Sequence, residues 1–203
     1  MPFNSHADSE TAAAGTTRSG LAHNLRVVVM GVEGSGKTTI GTRLAAALGC
    51  DFLEGDGLHS AANIAKMARG IQLTDQDRAP WLEAIRQHLA AAQAQGTSLV
   101  VACSALKQSY RDYLAQAGPL IWVYLKGSEQ LLRERVQGRQ HHYAKLSLLP
   151  SQLATLEVPH DAIVADIAES PDRMVANILA ALARLPAQAA AGPPAKTPAP
   201  PRA

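Results

Sequence analysis

Cysteine is nearly absent from this chain, with Cys50 and Cys103 the only two in 203 residues. Two thiols cannot build a disulfide framework, and both read as ordinary buried thiols of a reducing, cytoplasmic compartment. Aromatic residues reach only 4%, too few for a surface on which bases stack. Neither sign of charge dominates: 19 Lys and Arg meet 17 Asp and Glu, for a net charge of +2. That balance gives no electrostatic basis for a nucleic-acid partner. Long apolar runs are missing as well. The hydrophobic fraction is 47%, much of it alanine, yet no run approaches the roughly 20 residues of a membrane-spanning helix. Neither nucleic acid nor membrane is expected as a partner.

The ends lack any structural period. Residues 1–24 are rich in Ser, Thr, Ala and Gly without an apolar export core, and read as a disordered tail. Residues 186–203 are Ala and Pro with a few polar residues and read the same way. Between them, 25–185 reads as one domain. Short apolar runs at 25–32, 51–54, 98–103, 120–126 and 162–167 suit strands. Helical sequence fills 37–48, 77–95, 105–116, 128–137 and 170–185. Pro80 then falls in the first turn of its helix, where a missing N–H costs little. Alternation of this kind predicts an α/β fold, a three-layer sandwich around a five-stranded parallel sheet.

What the chain does have is a phosphate-binding signature. Gly31-Val32-Glu33-Gly34-Ser35-Gly36-Lys37-Thr38 fits G-x-x-x-x-G-K-[ST], with a strand before it and a helix after it. The glycines let main-chain N–H groups converge on phosphate oxygens, and the helix that follows adds its free N–H groups and positive dipole end. Lys37 supplies a mobile charge to the outer phosphates, and Thr38 a hydroxyl for Mg²⁺, with Thr39 next in the helix. A bound nucleoside triphosphate is expected, with residues Gly31 to Thr39 as its cradle. The pattern does not name the reaction.

The second strand ends Phe52-Leu53-Glu54-Gly55-Asp56-Gly57-Leu58-His59. Ligands of parallel sheets sit beyond the C-terminal strand ends. A carboxylate there can accept a hydroxyl proton or hold Mg²⁺ through water. A solvated acidic turn would have the same composition, so spacing alone leaves both readings open. Cys103 has no base beside it in sequence and reads as a small buried residue, and Trp81 reads as packing.

A longer set of motifs narrows the choice. After Glu54 come Gly55-Asp56-Gly57-Leu58-His59 and Asn63-Ile64-Ala65-Lys66-Met67. Then follow Gly70 to Leu82, containing Asp75, Asp77, Arg78 and Pro80-Trp81-Leu82. Cys103-Ser104-Ala105-Leu106-Lys107 and Tyr110-Arg111-Asp112 succeed the third strand, and Ser151-Gln152-Leu153-Ala154-Thr155-Leu156-Glu157 comes late. In order and spacing the chain resembles the small gluconate kinases of the shikimate kinase-like P-loop group. It departs from them at Glu54 (usually Asp), Ser60 (usually Pro) and Gln72 (often Pro).

The resemblance implies a P-loop kinase fold with a mobile lid at about 135–150, and ATP with Mg²⁺ as cofactors. It implies phosphorylation of gluconate to 6-phosphogluconate and an enzyme that is often a homodimer. Lys37, Asp56, Arg135 and Arg139 are the implied catalytic residues. Asp56, His59, Lys66, Ser104, Lys107, Arg111 and His142 are implied to hold the substrate, with Arg69 and Arg78 as further cations; Thr38, Glu54 and Asp56 are implied to hold the metal. Gly138 is the expected hinge of the lid and Pro150 its stiff end. Residues 166–171 lie where similar kinases place an adenine loop. A shikimate or nucleoside monophosphate kinase on the same scaffold is the alternative enzyme, and a nucleotide-binding switch the alternative without catalysis.

Overall fold

A computed structural model describes residues 24–138 and 142–185, with the backbone alone over 142–146. The tails expected from composition, and Arg139, lie outside the described residues, as does the side chain of His142. Asn24, counted with the first tail, is held in place: its amide donates to Ser98 Oγ at 3.1 Å.

The elements run β1 (Arg26–Met30), α1 (Lys37–Leu48), β2 (Asp51–Glu54), a 3-10 turn (Gly55–Leu58), α2 (Ala61–Ala68) and α3 (Asp75–Gln95). There follow β3 (Leu99–Ala102), α4 (Gln108–Ala115), β4 (Ile121–Lys126), α5 (Glu129–Gln137), α6 (His142–Thr155), β5 (Ile163–Asp166) and α7 (Pro171–Leu182). The strands form one parallel sheet in the order β2-β3-β1-β4-β5. The central strand, β1, is buried along its whole length, as its unbroken apolar run requires.

Successive strand side chains point to opposite faces, and the core divides accordingly. Val27, Val29, Val123 and Leu125 pack with Ile40 and Leu44 of α1 and Ile178 of α7. Val28, Met30, Val101 and Tyr124 pack with Ile85 and Leu89 of α3 and Leu114 of α4. The result is the expected three-layer α/β sandwich around a five-stranded parallel sheet. No helix among the described residues is long and apolar enough to cross a membrane.

Local chemistry moved several boundaries. Thr74 and Asp77 form a reciprocal capping box, so α3 begins at Asp75 and not at Asp77. Pro80 consequently sits in the second turn of α3, not the first. Helix α2 went unread because eight residues give too short a period. Ser60 starts it by accepting from Asn63 N at 3.2 Å. The departure from proline at this position therefore supplies a helix cap. The lid differs most. Gly138 has ordinary right-handed backbone, and α6 runs through Pro150 to Thr155. Leu149 is fully buried in the core, with Leu153 and Leu156 packed against it. The end of the expected lid thus belongs to the body of the domain.

At Gly55 the chain leaves β2 under tight constraint. A Cβ there would stand 2.3 Å from the Ala102 carbonyl oxygen, whereas one on Gly57 would meet nothing within 4 Å. Gly55→Ala is expected to cost about 2 kcal/mol or more in a denaturant melt, because backbone cannot yield as a side-chain tip does. Gly57→Ala is expected to leave Tm within about a degree. Equal losses in the two variants would contradict this account of the turn.

Candidate active site

The phosphate loop begins where β1 ends. Gly31, Gly34 and Gly36 have φ of 145°, 82° and 94°. A Cβ on Gly31 would lie 2.9 Å from Ser35 Oγ, and one on Gly34 2.8 Å from Val136 Cγ2. Positive φ and close packing together disfavour other residues at Gly31 and Gly34, and positive φ alone does so at Gly36. Helix α1 begins at Gly36 without a side-chain cap, whereas serine or threonine caps α2, α3, α5 and α7. Its first N–H groups are left for an anion. Lys37 Nζ donates to the Val32 carbonyl at 3.1 Å, folding the lysine over its own loop. The Val32 side chain is in the core, so its main chain alone faces the loop. Ser35 Oγ is buried without a hydrogen-bond partner, and Thr39 is exposed at the start of α1.

The acidic turn stands beside this loop. Thr38 Oγ1 donates to Glu54 Oε2 at 2.5 Å. The other Glu54 oxygen accepts from Asp56 N at 3.4 Å and so caps the 3-10 turn. Oxygen donors from Thr38, Glu54 and Asp56 suit a hard cation such as Mg²⁺. Among the described residues no group of three or more His, Cys, Asp and Glu could hold a metal on its own. A cation here would therefore share the oxygens of a bound nucleotide.

Trp81 supports the turn from beneath. Its Nε1–H donates to the Gly55 carbonyl at 2.7 Å, and its ring stacks on His59 with centroids 4.4 Å apart at 12°. Burial lowers the His59 pKa below its ordinary value, against the opposing pull of Asp56. The imidazole is thus neutral near pH 7, a donor at one nitrogen and an acceptor at the other. Trp81 packs as expected, but it also fixes two site residues.

Lys37, Asp56 and His59 open onto one cavity of about 670 Å³. Arg78 and Ser104 line it too, with Ile64 and Met67 of α2 on one side and Leu148, Ser151 and Gln152 of α6 on another. Gln152 was not singled out from the sequence, although it stands in the Ser151–Glu157 motif. Its Oε1 accepts from Glu33 N at 2.7 Å, joining α6 to the phosphate loop.

Three expected substrate ligands are absent from the cavity wall. Lys66 Nζ bonds Asp77 Oδ1 at 2.7 Å, fastening α2 to α3, and Asn63 Nδ2 bonds the Asp77 carbonyl at 2.7 Å. Lys107 bonds both Asp75 oxygens at 2.8 Å. Arg111 is buried, and its Nη1 donates to the Ala105 and Leu106 carbonyls at 2.9 and 3.2 Å. It holds the loop after β3, where Ala105 takes φ of 42° and delays the start of α4. Arg69 also lies off the wall, bonding the Ala65 carbonyl at 3.2 Å. Arg135 bonds the Ile167 carbonyl. Its Nη1 lies 3.9 Å from the place of a Cβ on Gly36, so the guanidinium borders the phosphate loop. Cys103 is fully buried and its thiol is pushed up to about 12 by burial, which leaves it inert.

A parallel sheet with an anion loop at its C-terminal edge and a carboxylate opposite has the build of a P-loop kinase. A family model described as an AAA domain matches residues 27–159. A gluconokinase of Gluconobacter oxydans (strain 621H) is 51% identical over 136 residues, 66% of this chain and 76% of that protein. The thermoresistant gluconokinase of Escherichia coli (strain K12) is 40% identical over 157 residues, 75% of this chain and 90% of its own. The crystal structure of a gluconokinase from Sinorhizobium meliloti 1021 superposes with a TM-score of 0.73 at 46% identity, covering 80% of this chain and 94% of that one. The chain belongs to the gluconokinase family.

The Lys66–Asp77 pair carries a pH signature. Lys66 holds the Asp77 carboxyl at about 2, below the ordinary 3.8. A carboxyl lowered by folding stabilises above about pH 4, and that contribution fades as pH falls toward 2. Asp77→Asn is expected to lower Tm at pH 7 by several degrees, with the gap to wild type closing near pH 2 in thermal melts. A gap independent of pH would show that the ion pair contributes nothing.

Proposed function

We propose that this protein transfers the γ-phosphoryl group of ATP to the C6 hydroxyl of D-gluconate, giving ADP and 6-phospho-D-gluconate. Its membership of the gluconokinase family supports the reaction. The observation that carries the site assignment is that Lys37, after β1, and Asp56, after β2, line one cavity, although β3 separates the two strands in the sheet.

The phosphate loop binds the triphosphate through main-chain amides, and Lys37 leaves the Val32 carbonyl for the outer phosphates. Asp56 orients the acceptor hydroxyl and accepts its proton as the oxygen–phosphorus bond forms. Arg135, beside Gly36, adds positive charge where charge builds on the moving group. Thr38 and Glu54 are the residues that would hold Mg²⁺, which would supply positive charge against the phosphates. Neutral His59 and Ser104 offer hydrogen bonds to the polyol. Arg78 is the cation for the substrate carboxylate, because it lines the cavity while Lys66, Lys107 and Arg111 do not; its Nη1 also donates to the Leu73 carbonyl.

In a coupled ADP-release assay, gluconate should give turnover while shikimate and nucleoside monophosphates give none above the ATPase background. Lys37→Ala should reduce turnover to that background. Asp56→Asn should lower kcat by about a hundredfold or more with the ATP KM nearly unchanged. A rise in gluconate KM alone would make Asp56 a binding residue and not the proton acceptor.

A further inference from the structure

Helix α6 reaches the phosphate loop through one side chain. Gln152 Oε1 accepts the Glu33 main-chain N–H at 2.7 Å across 119 residues of sequence. Glu33 is the third residue of the loop, so one of the amides in an anion-binding turn is already engaged by protein. Of the two terminal atoms of the Gln152 amide only the oxygen can accept, so the Glu33 N–H fixes the amide's orientation and turns Nε2 away from that bond. Among the described residues, no bond from Nε2 accompanies that of Oε1. The side chain lines the same cavity as Lys37, Asp56, His59, Arg78 and Ser104. Helix α6 cannot easily shift to carry it elsewhere. Leu149 is fully buried, and Glu157 N, just beyond the helix, donates to the Leu106 carbonyl at 2.9 Å.

We infer that Gln152 is a substrate-contacting residue whose Oε1 is fixed by the phosphate loop and whose Nε2 donates to an oxygen of the polyol acid. The inference rests on the gluconate reading above. The residue sets the acceptor's position relative to the loop that holds the donor, because one amide group touches both. Such a contact discriminates in favour of acceptors that carry an oxygen at that point of the cavity, since an apolar group there would leave Nε2 unpaired.

The test uses two variants of the full chain, with steady-state kinetics in both substrates and thermal melts. Gln152→Glu keeps an oxygen for the Glu33 N–H but removes the donor, and Gln152→Met removes both. The expected result is a gluconate KM raised about tenfold in both variants, the span of one hydrogen bond to a charged or polar partner. The ATP KM should change less than about twofold in Gln152→Glu, and its Tm should stay close to wild type. A wild-type gluconate KM in Gln152→Glu, with ATP and gluconate KM raised equally in Gln152→Met, would make Gln152 a mere strut and overturn the inference. Absence of gluconate turnover in the wild-type enzyme would instead defeat the gluconate reading itself.

Discussion

The structure depends on a set of main-chain donors that no side chain caps. The N-terminus of α1 has no side-chain cap, and its cap residue, Gly36, has φ of 94°. Converging N–H dipoles repel one another and attract an anion, so packing must hold them together. Gly34 lies against Val136 and the Leu132 carbonyl of α5, and Gly31 against the Leu125 carbonyl of β4. Leu132 and Leu125 in turn belong to the core face shared by α1 and α7. The loop is therefore shaped by the same apolar layer that stabilises the sheet, and no flexible segment is needed to form it.

Around the acceptor side, charge is used mainly for holding elements together. Asp77 ties α2 to α3, Asp75 ties α3 to Lys107 ahead of α4, and Glu83 binds Arg86 within α3 while accepting from Tyr113 of α4 at 2.7 Å. Arg86 holds the Glu83 carboxyl at about 2, so it stays ionised throughout ordinary pH. With these charges paired, the cavity keeps a small charged set, Glu33, Lys37, Asp56 and Arg78, among apolar side chains such as Met67 and Leu106. An apolar surround strengthens each remaining charge, because fewer waters compete for it.

How far the sequence could be read follows from the distance over which each signal acts. The phosphate loop was legible because its constraint is local: glycines at fixed offsets, then Lys37 and Thr38. The sheet was legible because strands buried on both faces are unbroken apolar runs. The short helix α2 and the passage of α6 through Pro150 were not, since each is settled by packing against distant elements. The partners of Lys66, Lys107 and Arg111 were hidden for a related reason. A basic residue in a motif announces that its charge matters, but whether the partner is substrate, Asp77, Asp75 or a main-chain carbonyl depends on chain segments up to dozens of residues away. Gln152 was hidden in the same way, its partner being 119 residues distant.

Glu54 shows how a single departure from the family pattern can be absorbed. The resemblance gives aspartate as the usual residue there, and a longer arm needs room that the acidic turn must supply or the side chain must find. The two carboxylate oxygens divide their work, one meeting Thr38 Oγ1 at the start of α1 and the other capping the turn at Asp56 N. Gly55, pressed against the Ala102 carbonyl and held by Trp81 Nε1, prevents the turn from moving to suit the side chain. The adjustment must then occur within the flexible glutamate arm, whose extra methylene lets its carboxylate reach both groups from a fixed backbone. Through that arm the hydroxyl suited to the metal and the turn bearing Asp56 are mechanically joined, so the donor and acceptor halves of the site share one carboxylate.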